Sequence, residues 1–241
     1  MGKTYAFSDL HGDYELWKKI QNFLKEEDCA FCLGDCCDRG NYGIKIMQEI
    51  LNDSRIVYLQ GNHERMFLNG IACREPHVRS IFGMKDYTLW MQNGGLPTAD
   101  AYYKLDFDEQ TVLYDKIYDL NYCTIYINLK KQIIFLSHAG CQPWQATLNP
   151  HTEDKYDLLW NRDHISLEWS EKDEYKNLYI VHGHTPVQYI TQSMENPEVI
   201  QYCQKHKIDI DLGTFNSGKA ALLDLDTFEV IYFQKEGKDE N

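Results

Sequence analysis

The chain has 241 residues, with 24 Lys+Arg against 37 Asp+Glu and a formal net charge of −13. That length suits one large domain, and a composition 43% hydrophobic and 25% charged excludes disorder and fibrous repeats. So acidic a surface repels phosphodiester backbones and anionic lipid, which speaks against nucleic-acid and membrane partners; an anionic substrate would need a concentrated local source of positive charge.

The N-terminus, MGKTYAFSDLHGD, lacks the apolar stretch of a secretory signal, and no apolar run approaches the roughly 20 residues of a membrane span. The eight Cys then read as reduced thiols, and the expected location is the cytoplasm. Residues 3–8 read as a strand that stops at Asp9. Within 13–27, Leu16, Trp17, Ile20, Phe23 and Leu24 recur at helical spacing. Residues 29–33 form a compact apolar run bounded by Gly34, a buried strand. Residues 42–51 return to the helical period, and 56–59 make a third strand. This alternation predicts an α/β domain with its active residues at the carboxyl ends of parallel strands.

From about 65 to 120 there is no β-alternation, and 107–120 reads as helix, so this stretch is expected to be a mostly helical insertion or cap. Strands resume at 123–128 and 132–136, joined by a hairpin-like connection, and 140–176 reads as loop. Residues 178–181, 208–212, 220–225 and 229–233 read as further strands. A second sheet in the C-terminal half, packed on the first, would complete a layered αββα sandwich, a single domain over 1–241. The terminal GKDEN reads as a solvated tail.

Polar motifs terminate these apolar runs. Asp9-Leu10-His11 follows the first strand, and Gly34-Asp35 with Asp38-Arg39 follows the second. Gly61-Asn62-His63-Glu64 follows the third, His138 follows 132–136, and His182-Gly183-His184 follows 178–181. Gathered at one sheet edge, they offer carboxylates, imidazoles and an amide, a donor set that suits Mn²⁺, Fe or Zn²⁺ rather than a thiolate site. Six ligands exceed the needs of one ion, and a carboxylate such as Asp35 can bridge two. Any one motif alone is weak; their ordered placement after successive strands carries the argument.

SDLHGD, GDCCDRG, GNHE, SHAG and VHGHTP, in that order, resemble the phosphoprotein phosphatase family of binuclear, calcineurin-like metallophosphoesterases, closest to its small bacterial and phage branch through LLWNRD and NGGLPT. Ser8 stands where the first motif usually has Gly, and Asn41 where Pro often follows DRG; neither is a ligand position. The resemblance implies two divalent ions, Mn²⁺ ahead of Fe or Zn²⁺. Asp9 and His11 would hold the first, Asp35 would bridge, and Asn62, His138 and His184 would complete the second. It makes His63 the general acid, Asp38 the carboxylate that orients it, and Arg39 and Arg162, with Asn62 and His63, the phosphate contacts. Glu64 and His182 are expected behind the ligands, in supporting contacts.

The expected reaction is direct hydrolysis of a phosphomonoester by metal-activated water, with phosphoserine or phosphothreonine proteins as the leading substrates. Dinucleoside polyphosphates such as diadenosine tetraphosphate, or other small phosphoesters, are the enzymatic alternative. A non-catalytic binding module would have lost a ligand or a phosphate arginine, and all are present. A nuclease would need a basic groove, for which Lys130-Lys131 and the 205–207 cluster are too few. Cys29, Cys32, Cys36 and Cys37 read as apolar fillers, since no second CxxC exists. His77, His151, His164 and His206 read as surface residues. Trp90, Asn93, Gly94, Gly95 and Thr98 read equally as a substrate rim or a glycine turn, and the acids at 106, 108, 109, 115 and 119 as a solvated helix face.

Overall fold

A computed structural model describes residues 2–73, 81–147, 155–169 and 172–236. His77, His151 and the terminal GKDEN lie outside them.

The chain opens β1 (Thr4–Phe7), α1 (Tyr14–Phe23), β2 (Cys29–Cys32), α2 (Gly43–Asn52), β3 (Ile56–Tyr58), as the periodicity predicts. The Asp13 side chain caps α1 by accepting the Leu16 N–H at 3.2 Å. The α1 face carrying Leu16, Trp17 and Ile20 is buried, and the helix stops where Leu24 turns extended. Then come α3 (Asn62–Ala72), α4 (Ile81–Gln92), α5 (Leu96–Tyr102) and α6 (Phe107–Tyr118). The acids at the start of α6 are more than a solvated face. Asp106 accepts the Glu109 N–H at 2.8 Å and Glu109 accepts the Asp106 N–H at 3.1 Å, a reciprocal cap.

β4 (Cys123–Ile127), β5 (Ile133–Ser137), β6 (Leu178–His182), β7 (Ile200–Tyr202), β8 (Lys207–Asp209), β9 (Lys219–Asp224) and β10 (Val230–Gln234) follow. The stretch expected to be loop holds α7 (Pro143–Thr147), α8 (Lys155–Trp160) and two 3₁₀ turns, Asp163–Ile165 and Asp173–Tyr175.

Two five-stranded sheets form, ordered β10-β9-β1-β2-β3 and β4-β5-β6-β8-β7. β9 and β10 therefore join the first sheet, not the C-terminal one; β9 runs antiparallel to β1, with Ala6 opposite Leu223. Ala6, Phe31 and Leu33 meet Leu136, Val181 and Ile208 in the layer between the sheets. On the outer face of the first sheet, one cluster joins Phe7 and Trp17 to Phe67, Trp90, Leu113 and Ile117. The helices α3–α6 thus share their core with α1 and α2. Phe135 and Ile180 pack outward against Leu158 and Trp169 beneath the other sheet. Helical layer, two sheets, helical layer is the expected αββα sandwich. Among the described residues, no helix is long and apolar enough to cross a membrane.

Candidate metal centre

The loops after β1 and β2 are laced together, Asp9 N–H to Gly34 O at 3.0 Å and His11 N–H to Asp35 O at 2.9 Å. The loops after β5 and β6 are joined by Gly183 N–H to His138 O at 2.8 Å. Gly183 packs so closely that a Cβ there would stand 2.1 Å from Asp9 Oδ2, which ties the two pairs of loops together. Asp9, His11, Asp35, Asp38, Arg39 and His184 all hold φ between 44° and 67°, the left-handed region that costs a non-glycine residue of order 1–3 kcal/mol. Strain concentrated in this way is a common property of functional sites.

The structure brings Asp9, His11, Asp35, Asn62, His63, His138 and His184 together, all buried. Asp35 sits between two groups whose ligand atoms lie within 4.8 Å of one another, His11–Asp35–His63 and Asp35–His138–His184. Its Oδ2 is 3.4 Å from His138 Nε2, 3.7 Å from His11 Nε2 and 3.8 Å from His63 Nε2. Asp9 stands at the margin of the first group, Oδ1 3.9 Å from His11 Nε2, while its Oδ2 accepts the His184 N–H at 3.1 Å. Asn62 Oδ1 faces His138 Nε2 at 2.7 Å and His184 Nδ1 at 2.9 Å.

Electrostatics separates these imidazoles. Burial pushes His184 down to about 2 and His11 well below its usual range, so both are neutral. Burial also disfavours charge on His138, but Asp35 and Asp9 outweigh it and lift the ring to about 9. Burial lifts the Asp9 carboxyl to about 6. It opposes charge on Asp35 too, yet His138 and His63 hold that carboxyl well below the usual range.

Several features fit a pair of cations. His11 and His138 each donate Nδ1–H to a backbone carbonyl, Cys37 O at 3.1 Å and Leu33 O at 2.9 Å, which turns both Nε2 atoms inward, the usual orientation for ligating imidazoles. His184 Nε2 is buried with no hydrogen-bond partner, and carboxylate, imidazole and amide donors suit Mn²⁺, Fe or Zn²⁺.

His63 Nδ1 donates to Asp38 Oδ2 at 2.7 Å, and Arg39 Nη2 lies 3.3 Å from His63 Nε2. Burial works against charge on His63, but Asp35 and Asp38 raise it above the ordinary value. The 90–98 segment supports this pair. Trp90 Nε1 donates to both Asp38 oxygens at 3.0 Å, Asp38 N–H donates to Thr98 Oγ1 at 2.8 Å, and Arg39 N–H donates to Gly94 O at 2.8 Å. Of the two sequence readings for these residues neither is complete: Trp90, Gly94 and Thr98 hold the Asp38-Arg39 loop. Arg162 is exposed, its Nε donating to Thr185 Oγ1 at 3.1 Å and Nη2 reaching His184 O at 3.5 Å.

Glu64 is bonded to the backbone of the loop that carries Asp35, whereas the hydrogen bonds of His182 go to Gly183 and Tyr202. Glu64 accepts four hydrogen bonds, Asp35 N–H and Gly61 N–H on one oxygen, Cys36 N–H and Tyr58 O–H on the other, at 2.8–2.9 Å. Glu64→Gln would turn an amide N–H₂ toward two buried donors, at about 1–3 kcal/mol each. A Tm lower by roughly 5–15 °C is expected in a thermal melt; an unchanged Tm would refute this role. His182 is fully buried and donates Nδ1–H to Gly183 O.

His164, read from sequence as a surface residue, is fully buried; the 3₁₀ turn that carries it folds the ring inward against polar partners. His206 is half-buried, its ring 4.6 Å from that of Trp169 in a parallel stack. Cys32 Sγ and Cys36 Sγ share a hydrogen bond at 3.2 Å, no disulfide forms among the described residues, and burial pushes the Cys36 and Cys37 thiols up. Among the described residues no Cys joins a cluster of metal-ligating groups. Beside the centre lies a cleft of about 1010 Å³, with Trp160, Tyr156, Tyr122, Tyr118 and Arg65 in its lining. The Trp160 ring stands edge-on to His184 at 6.1 Å.

The family model for calcineurin-like phosphoesterases matches residues 2–212, and the chain belongs to that family, whose members use a binuclear metal site to cleave phosphoesters. Among solved structures it is similar to a candidate diadenosine tetraphosphatase, at 13% identity and TM-score 0.58, covering 98% of this chain and 95% of that one. A Saccharomyces cerevisiae protein serine/threonine phosphatase with similarity to human phosphatase PP5 gives 13% identity and TM-score 0.58, covering 99% and 82%. The cold-active protein-tyrosine phosphatase of a psychrophilic Shewanella gives 16% and 0.57, covering 96% and 77%. At these identities the likeness is one of fold. No curated protein sequence matches the chain significantly.

Proposed function

We propose that this phosphoesterase hydrolyses phosphomonoesters, with phosphoserine and phosphothreonine side chains of proteins as its substrates. The observation that carries the reading is Asp35 standing between two imidazole groups, with the Asp38–His63 pair and Arg39 beside them. Asp9, His11 and Asp35 would hold one divalent ion, and Asp35, Asn62, His138 and His184 a second, Mn²⁺ best suited to the donor set. When bound, such ions neutralise phosphoryl oxygens and make water a nucleophile at neutral pH.

The chain's own residues do the rest. Arg39 and Arg162 present guanidinium forks to the remaining phosphoryl oxygens. His63, whose protonated form the Asp38 carboxylate favours, donates its Nε2 proton to the departing alkoxide. Asp38 fixes the ring through Nδ1, and Trp90 fixes Asp38. No covalent phosphoenzyme is needed.

A second reading, hydrolysis of dinucleoside polyphosphates, is favoured by the aromatic lining and size of the cleft beside Trp160. The discriminating assay compares phosphoserine and phosphothreonine peptides with diadenosine tetraphosphate, in parallel with Mn²⁺. The peptides are expected to give the higher kcat/KM. Preference for the dinucleotide by orders of magnitude would overturn the first reading in favour of the second.

A further inference from the structure

Lys205-His206-Lys207 looks in the sequence like a solvated basic run, yet the Lys207 side chain is fully buried, in a strand flanked by β6 and β7. Its Nζ donates to His164 O at 2.6 Å and to His164 Nδ1 at 3.3 Å. His164 in turn donates Nε2–H to Ala139 O at 2.6 Å, and its ring meets His182 edge-on at 5.0 Å. The His182 ring is fixed from its other side by Tyr202, whose O–H donates to Nε2 at 2.6 Å. This file of side chains touches three loops, and each carries a residue of the site: His138, Arg162 and His184.

Among the described residues Lys207 makes no ion pair with a carboxylate, and burial pushes its ammonium below the ordinary lysine range. A buried ammonium so placed costs several kcal/mol that an apolar side chain of similar volume would not. Its return is local order. His164 is the buried anchor of the Asp163–Ile165 turn, and Arg162 is that turn's first flanking residue, exposed, its side chain hydrogen-bonded among the described residues to Thr185 and His184.

We propose that Lys207 and His164 are positioning residues, a buried brace that fixes the Asp163–Ile165 turn and thereby aims Arg162 at the phosphoryl group. The proposal rests on the reading of Arg162 as a phosphate contact. Neither residue touches substrate.

The test is a double-mutant cycle with Lys207→Met, Arg162→Ala and their combination. It reads the Kd of inorganic phosphate by calorimetry, KM and kcat on p-nitrophenyl phosphate, and Tm. Lys207→Met is expected to weaken phosphate binding and raise KM by about tenfold, to change kcat by less than about threefold, and to leave Tm within a few degrees. The double variant should bind phosphate no more weakly than Arg162→Ala alone, because both changes remove one interaction. Effects that multiply, or an unchanged phosphate Kd in Lys207→Met, overturn the brace. An unchanged Kd in Arg162→Ala overturns the reading of Arg162, and the brace with it. His164→Gln, which leaves Lys207 in place, tests the same coupling if Lys207→Met fails to fold.

Discussion

Asp35→Asn is expected to lower kcat by about a thousandfold or more while the protein stays folded, since several kcal/mol of charge stabilisation in the transition state converts to that factor. The geometry separates the two consequences. Asp35 Oδ1 accepts the His63 N–H at 3.0 Å, a bond an asparagine oxygen can keep. Asparagine also tolerates the left-handed backbone at this position. What disappears is the negative charge that faces His11, His63 and His138 within 3.4–3.8 Å. Turnover, metal content of the purified protein and thermal melting decide the matter together. A variant that keeps its metal and turns over within tenfold of the parent would remove Asp35 from the centre.

His63→Asn should cost about 10²–10⁴ in kcat on a phosphoserine peptide, the usual worth of a positioned general acid. The loss should shrink sharply on p-nitrophenyl phosphate, because nitrophenolate departs without needing a proton. That dependence on the leaving group distinguishes proton donation from mere phosphate contact. His63 Nε2 lies 3.3 Å from Arg39 Nη2, so a binding role would weaken both substrates alike. Equal losses on the two substrates would sink the general-acid assignment and leave His63 as an anchor for the phosphoryl group.

Much of this site was legible in the sequence because parallel strands put their carboxyl ends side by side. A motif that stops an apolar run there is brought next to its counterparts by topology alone. Asp9, Asp35 and Asn62 follow β1, β2 and β3, which are neighbours in the order β1-β2-β3, and His138 and His184 follow the adjacent β5 and β6. What pattern could not say was which sheet a strand joins. Residues 219–224 are buried throughout, so no polar alternation showed β9 leaving its sequence neighbours for β1. The supports of the site were equally hidden. Trp90 reaches Asp38 across 52 residues of chain, and Lys207 reaches His164 across 43. Both contacts depend on long-range packing, and His164 and Lys207 carry the polar neighbours of ordinary surface residues. A cation in a basic run gives no sign of burial until the strands on either side are known.

The left-handed backbone at Asp9, His11, Asp35, Asp38, Arg39 and His184 has a consequence for anyone who tries to harden this protein. Glycine adopts those angles freely, so at each position the active side chain is the less comfortable tenant. A search that ranks variants by heat resistance alone will be drawn to glycine where the side chain makes few bonds, as at Arg39, and away from Asp9, Asp35 and Asp38, whose carboxylates accept buried hydrogen bonds. Selection for turnover has to be applied in the same round, since here robustness and activity pull on the same atoms.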